Sequence, residues 1–108
     1  MSACIIARIN IDAPEECDFK RLGAGMWYCT YRFYEDTRQV LRANINDTPT
    51  SSRGISIDLV IDGEVFAEAR KIVDTFIEKI EEHILNNEAH RGVSVAGTEM
   101  MLSDCSEF

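Results

Sequence analysis

The stretch EVFAEARKIVDTFIEKIEEHIL, Glu64 to Leu85, decides the fold. Its apolar residues fall at Val65, Phe66, Ala69, Ile72, Val73, Phe76, Ile77, Ile80, Ile84 and Leu85. Steps of three and four are the period of one helical face. The other face carries Glu64, Glu68, Arg70, Lys71, Asp74, Glu78, Glu81 and Glu82. A helix this apolar on one side must be buried against something. Asp62 is placed to cap it, Glu64 and Glu68 suit the positive end of the helix dipole, and Asn86 or Asn87 can close it in the left-handed conformation.

Working upstream, four segments read as strands to be covered by that helix. In ACIIARINID (3–12), Ile5, Ala7, Ile9 and Ile11 point one way and Cys4, Ile6, Arg8, Asn10 and Asp12 the other. In ISIDLVI (55–61), Ile55, Ile57, Leu59 and Ile61 alternate with Ser56, Asp58 and Val60. The aromatic run MWYCTYRFYE (26–35) has high β-propensity. It reads as a strand with Trp27, Cys29, Tyr31 and Phe33 on one face and Met26, Tyr28, Thr30, Arg32 and Tyr34 on the other. Residues 39–46 read as its hairpin partner, with Leu41, Ala43 and Ile45 inward and Val40, Arg42 and Asn44 outward.

Between the first two strands, Asp12, Pro14 and Glu15 suit a short helix over about 13–22, stopped by Gly23. An irregular loop anchored by Phe19 and Leu22 is the competing reading. NDTPTSSRG (46–54) is a loop, expected to be the most mobile segment. In the tail, 92–95 reads as a fifth edge strand, 98–102 as a helical turn and 103–108 as frayed.

The expectation is therefore one α+β domain over 1–108: an antiparallel sheet of about four strands, covered on one face by one long amphipathic helix, in the order β-(short α)-β-β-β-α. That order is similar to the topology of the double-stranded-RNA-binding domain. Its last helix begins with basic residues, whereas Glu64 and Glu68 stand here, so the similarity stops at topology.

The 108 residues suffice for one two-layer core without disulfides or a metal. With 45% hydrophobic and 28% charged residues, the composition is that of an ordinary globular chain. No apolar run is long enough to span a membrane, and no basic segment precedes the apolar start, so the chain is expected to be cytoplasmic and not membrane-bound. On that basis Cys4, Cys17, Cys29 and Cys105 are expected as reduced thiols, with Cys29 buried and Cys105 exposed. The formal charge of −8 belongs to the second half. Residues 1–55 hold seven basic and seven acidic side chains, whereas 56–108 hold four and twelve. This argues against direct nucleic-acid binding, which needs positive charge.

Two surfaces emerge as partner sites. One is the acidic helix face, Glu68, Asp74, Glu78, Glu81 and Glu82. It could occupy a basic groove built for phosphates on another protein. The other is an open sheet face with Arg8, Tyr28, Arg32, Tyr34 and Arg42, residues enriched in interfaces and able to grip an anion. No nucleophile elbow, P-loop or zinc motif is present. His83 and His90 are not spaced as helical metal ligands, and Gly23-Ala24-Gly25 precedes a strand in this reading instead of opening a helix. No metal or cofactor is expected. The sequence reading is thus a non-enzymatic binding protein: an inhibitor or immunity-type protein of the kind phages and other mobile elements encode, acting on a protein partner. The alternative is a binder of small anions through the arginine/tyrosine sheet face, as a monomer or a homodimer.

Overall fold

The computed structural model describes residues 3–47 and 54–105. Its elements are β1 (Ala3–Asp12), α1 (Phe19–Asp36), β2 (Val40–Asn46), β3 (Gly54–Asp62), a 3-10 segment (Gly63–Glu68), α2 (Ala69–Leu85), a 3-10 turn (Glu88–His90) and β4 (Ser94–Asp104). The four strands form one antiparallel sheet in the order β2-β3-β1-β4. Both helices contribute to the core against it. The chain is an α+β two-layer domain built from two interleaved β-α-β halves, the split βαβ or ferredoxin-like arrangement. The loop expected over 46–54 falls largely on 48–53, outside the described residues.

β1 and β3 are the central strands, and their expected inward sets hold. Ile5, Ala7, Ile9, Ile11, Ile55, Ile57, Leu59 and Ile61 are all buried. Paired in register, Ile5 opposite Ile61 and Ile9 opposite Ile57, they present one apolar sheet face to the helices. α2 meets it with Ala69, Val73, Phe76 and Ile80, again in steps of four and three.

The aromatic run 26–35 is corrected from strand to helix. Leu22, Met26, Cys29 and Phe33 are spaced by four, three and four, and all four are buried on the core side of α1. Trp27, Tyr28, Tyr31 and Tyr34 stay at the surface, where Trp27 and Tyr31 stack one turn apart with ring centres at 5.0 Å. The helix starts later than the short one expected over 13–22. Its cap is Asp18, whose Oδ1 accepts from the Arg21 N–H at 3.2 Å. Gly23 does not stop it. Two helices therefore cover the sheet, and the β-β-β-α order does not occur.

Other boundaries move for local reasons. β2 pairs with β3 because residues 26–35 are no longer available as its hairpin partner. A register shift between Val40 and Arg42 turns Val40 inward and leaves Leu41 exposed, the reverse of the expected facing. α2 begins at Ala69, because the chain from Gly63 forms a tighter 3-10 segment with Val65 in non-helical geometry. Asp62 does cap that segment, accepting from the Glu64 N–H at 3.0 Å. Asn86 closes α2 at φ −86°, not in the left-handed region. The turn to β4 is made instead by Gly92 at φ 84°.

The tail is corrected too. Residues 94–104 form one continuous edge strand on β1, with Ala7 opposite Met100 and Cys4 opposite Ser103. Ser103 and Asp104 are therefore not frayed; residues 106–108 lie outside the described residues. Cys4 and Cys105 form a disulfide with Cα atoms 5.6 Å apart, so the expectation of four reduced thiols fails at these two positions. Cys17 and Cys29 are buried thiols. No helix among the described residues is long and apolar enough to cross a membrane.

Candidate functional site

α1 and α2 lie side by side and run in opposite directions, with Tyr28 beside His83 at one end and Phe33 against Phe76 at the other. Near His83 the helices leave a cleft of about 360 Å³ between them. α1 lines it with Tyr28, Cys29, Arg32, Phe33 and Asp36, and α2 with Lys79, Glu82, His83 and Asn86. That volume is in the range of small-ligand sites. The Arg32 guanidinium carbon sits 5.8 Å from the centre of the Tyr28 ring. Tyr28 and Arg32 are neighbours here because positions four apart share a helical face.

Behind the cleft lies a pair of imidazoles. The His83 and His90 rings are 5.3 Å apart between centres. His90 belongs to the 3-10 turn after α2 and is only 1% exposed. Its Nδ1 and Nε2, and the Nε2 of His83, are buried without a hydrogen-bond partner among the described residues. Buried polar atoms are almost always satisfied, so three orphaned nitrogens in one place call for an explanation. Gly25 makes the arrangement possible. A Cβ there would lie 2.6 Å from His83 Nε2 and 3.0 Å from His90 Nε2, so both nitrogens converge on the glycine side of α1.

Burial pushes His90 below its ordinary value of 6.5, and His83 and Arg21 push it the same way. The folded chain therefore holds His90 neutral where the unfolded chain has begun to protonate. Below pH 6.5 the unfolded state binds the extra proton, and stability falls with pH until the folded His90 also titrates. The expected result is a lower melting temperature at pH 5.5 than at 7.5, with part of that difference removed in His90→Gln. Thermal unfolding of both proteins at both pH values checks it. Burial also pushes the Cys29 thiol up, which disfavours the nucleophilic thiolate.

The structure redistributes the residues singled out in the sequence. Tyr28 and Arg32 reach the cleft, on a helix and not on a sheet. Tyr34 is on α1 outside the lining. Arg8 is on the outer sheet face, where its guanidinium grips the Asp58 carboxylate across β1 and β3 at 2.9 and 3.1 Å. Arg42 is on β2. The single arginine/tyrosine sheet face is therefore corrected. Of the acidic set, Glu82 lines the cleft, and Glu68 borders a second depression with Thr37, Lys71 and Thr75. Asp74 pairs with Arg70 at 3.2 Å, and Glu78 and Glu81 are exposed on α2. Among the described residues no group of three or more His, Cys, Asp or Glu is placed to hold a metal.

Sequence reasoning missed Lys79, His83, Asn86, His90 and Gly25 as site residues. Continuing the stripe Val73, Phe76, Ile80 by three reaches His83, which was a usable signal. His90 carried none, because it belongs to a single turn.

No family model matches the chain, and no characterised protein matches it by sequence. Solved structures match by fold. A mutant of SnoaB, a cofactor-independent oxygenase from Streptomyces nogalater, aligns over 99% of this chain and 95% of its own at 10% identity, with a TM-score of 0.52. MupZ from Pseudomonas fluorescens aligns over 93% of this chain and 71% of its own at 18% identity, with a TM-score of 0.51. At these identities the likeness is one of fold. It still overturns the non-enzymatic expectation, which rested on the lack of a local catalytic or cofactor motif. A cofactor-independent oxygenase has this fold, so that lack is no ground for excluding an enzyme.

Proposed function

We propose that this chain binds a small anionic molecule with a flat unsaturated part in the cleft between α1 and α2. The observation that carries the reading is the lining: Arg32 and Lys79 supply positive charge, and Tyr28 and Phe33 supply ring surface, around a space of ligand size. Arg32 already lies against the Tyr28 ring, so a carboxylate on the ligand meets a guanidinium held in place. Asp36 and Glu82 in the same lining can accept from a ligand hydroxyl.

The test is thermal unfolding with phenylpyruvate and 4-hydroxybenzoate against acetate and benzyl alcohol, which each keep only half of the required chemistry. A ligand that binds only the folded chain raises its melting temperature. The two aromatic anions should raise it and the controls should not. Losing a charged hydrogen bond costs about 1.5–3 kcal/mol, so Arg32→Ala should weaken binding by about tenfold or more. Equal responses to all four compounds, or an Arg32→Ala protein that binds as well as the original, would sink the reading.

The inhibitor that fills a basic groove on another protein stays a separate proposal, carried by exposed Glu78 and Glu81. Arg70, Lys71 and Lys79 interleave with those acids along α2, so the face offers a groove less charge than the acidic count alone implies. Charge reversal at Glu78 and Glu81 should abolish capture of such a partner and leave small-anion binding intact. Cytoplasmic placement is likewise a proposal from the sequence, and the Cys4–Cys105 bridge favours an oxidising setting instead.

A further inference from the structure

We propose that His83 is an acid–base catalyst for proton transfer at carbon, acting on a carboxylate-bearing ligand in the cleft, with His90 as its positioning residue. This rests on the cleft reading above. His83 is half-buried and lines the cleft, while its Nε2 is buried toward Gly25 and His90. That leaves Nδ1 as the ring nitrogen for the ligand. Among the described residues neither nitrogen of His90 has a hydrogen-bond partner. A neutral imidazole with a free lone pair is what an Nε2–H on His83 needs beside it. Such catalytic hydrogen bonds are commonly long in a ligand-free site and shorten when it fills. Gly25 has no side chain to keep the two nitrogens apart.

The step balances within the ligand. His83 Nδ1 takes a proton from a C–H next to a carbonyl, and the C–H bond's electron pair stays behind as an enolate. His83 becomes an imidazolium that donates from Nε2 to His90. Arg32 and Lys79 lie in the same lining, where positive charge stabilises the enolate as it forms. The proton then returns to the enolate oxygen or to the same carbon. The net result is keto–enol interconversion or isotope exchange, with nothing oxidised or reduced. The substrate class is a 2-oxo acid with an unsaturated substituent next to its acidic C–H, which makes the proton more acidic and fits the Tyr28 and Phe33 surface.

The probe is phenylpyruvate in heavy water, with loss of its benzylic proton signal followed by proton NMR against buffer alone. The protein should accelerate exchange. His83→Gln and His83→Asn should each cut the protein-dependent rate by about 10²-fold or more while changing the probe's Kd less than about threefold. His90→Gln should lower the rate by about tenfold, leave Kd unchanged, and shift the His83 imidazole nitrogen resonances, which a merely structural role for His90 would leave in place. Exchange at the original rate in both His83 variants overturns the inference, as does a protein that binds the probe without accelerating exchange; both results leave the cleft reading standing. Failure of the original protein to bind the probe at millimolar concentration overturns both.

Discussion

Phe76→Ala is expected to cost about 3–5 kcal/mol of folding stability, read as a lower denaturation midpoint with an unchanged urea slope. The ring is fully buried in the middle of α2's core stripe, and it packs on Phe33 of α1 with ring centres 4.9 Å apart. It therefore touches both helices, and deleting it opens a cavity where helix and sheet layers meet. A small domain has about 5–15 kcal/mol in total, so the loss is a large share of what holds the fold. Phe66 is the internal control. It lies in the 3-10 segment at 60% exposure, and its replacement by alanine should change stability by about 0.5 kcal/mol or less.

Cutting the Cys4–Cys105 bridge is the second large effect. It joins the start of β1 to the residue after β4 across 101 positions, so it closes nearly the whole described chain into one loop. Closing a loop of that length removes much of the unfolded chain's freedom, and disulfides of this kind typically contribute about 2–4 kcal/mol. Cys105→Ser should lose about that much, and a reducing agent should lower the original protein to the same level while leaving the variant unmoved. A reducing agent that leaves the original protein's melting temperature unchanged would mean the bond contributes nothing. β4 is the element most exposed to this change. Among the described residues it is an edge strand paired only with β1, and its end is tied down by that bond.

What could be read from the sequence divides along periodicity. β1, β3 and α2 have one period each. The inward residues of β1 and β3 came out as expected, and α2 buries Ala69, Val73, Phe76 and Ile80 of its apolar set, whereas Phe66 and Leu85 at the ends of the stretch are exposed. α1 has two. Trp27, Cys29, Tyr31 and Phe33 alternate like a strand, while Leu22, Met26, Cys29 and Phe33 step like a helix. Aromatic β-propensity favoured the first. Burial decides for the second, because only the helical set puts Leu22, Met26, Cys29 and Phe33 together against the sheet. β4 has neither period. Gly97, Thr98 and two adjacent methionines break any alternation, and the strand exists because β1 has an open edge for it to pair with.

The site follows the same logic. Tyr28 and Arg32 were named for the right chemistry on the wrong element. On a strand they would stand four residues apart along an extended chain; on a helix one turn brings them into contact. His83 was within reach of the helical count. His90 and Gly25 were not, because their importance comes from α1 and the turn after α2 meeting in space, and no local pattern records that.

Ligands are expected to enter between the helices, beside the imidazole pair, and not on the sheet. The most direct measurement is a nitrogen-15 NMR titration of the full chain with phenylpyruvate, following the backbone amides and the imidazole nitrogens together. Saturable shifts are expected at Tyr28, Arg32, Lys79 and His83, with His90 moving through its ring contact with His83. Shifts confined to the outer sheet face around Arg8, Asp58 and Arg42, with His83 and His90 unmoved, would contradict it.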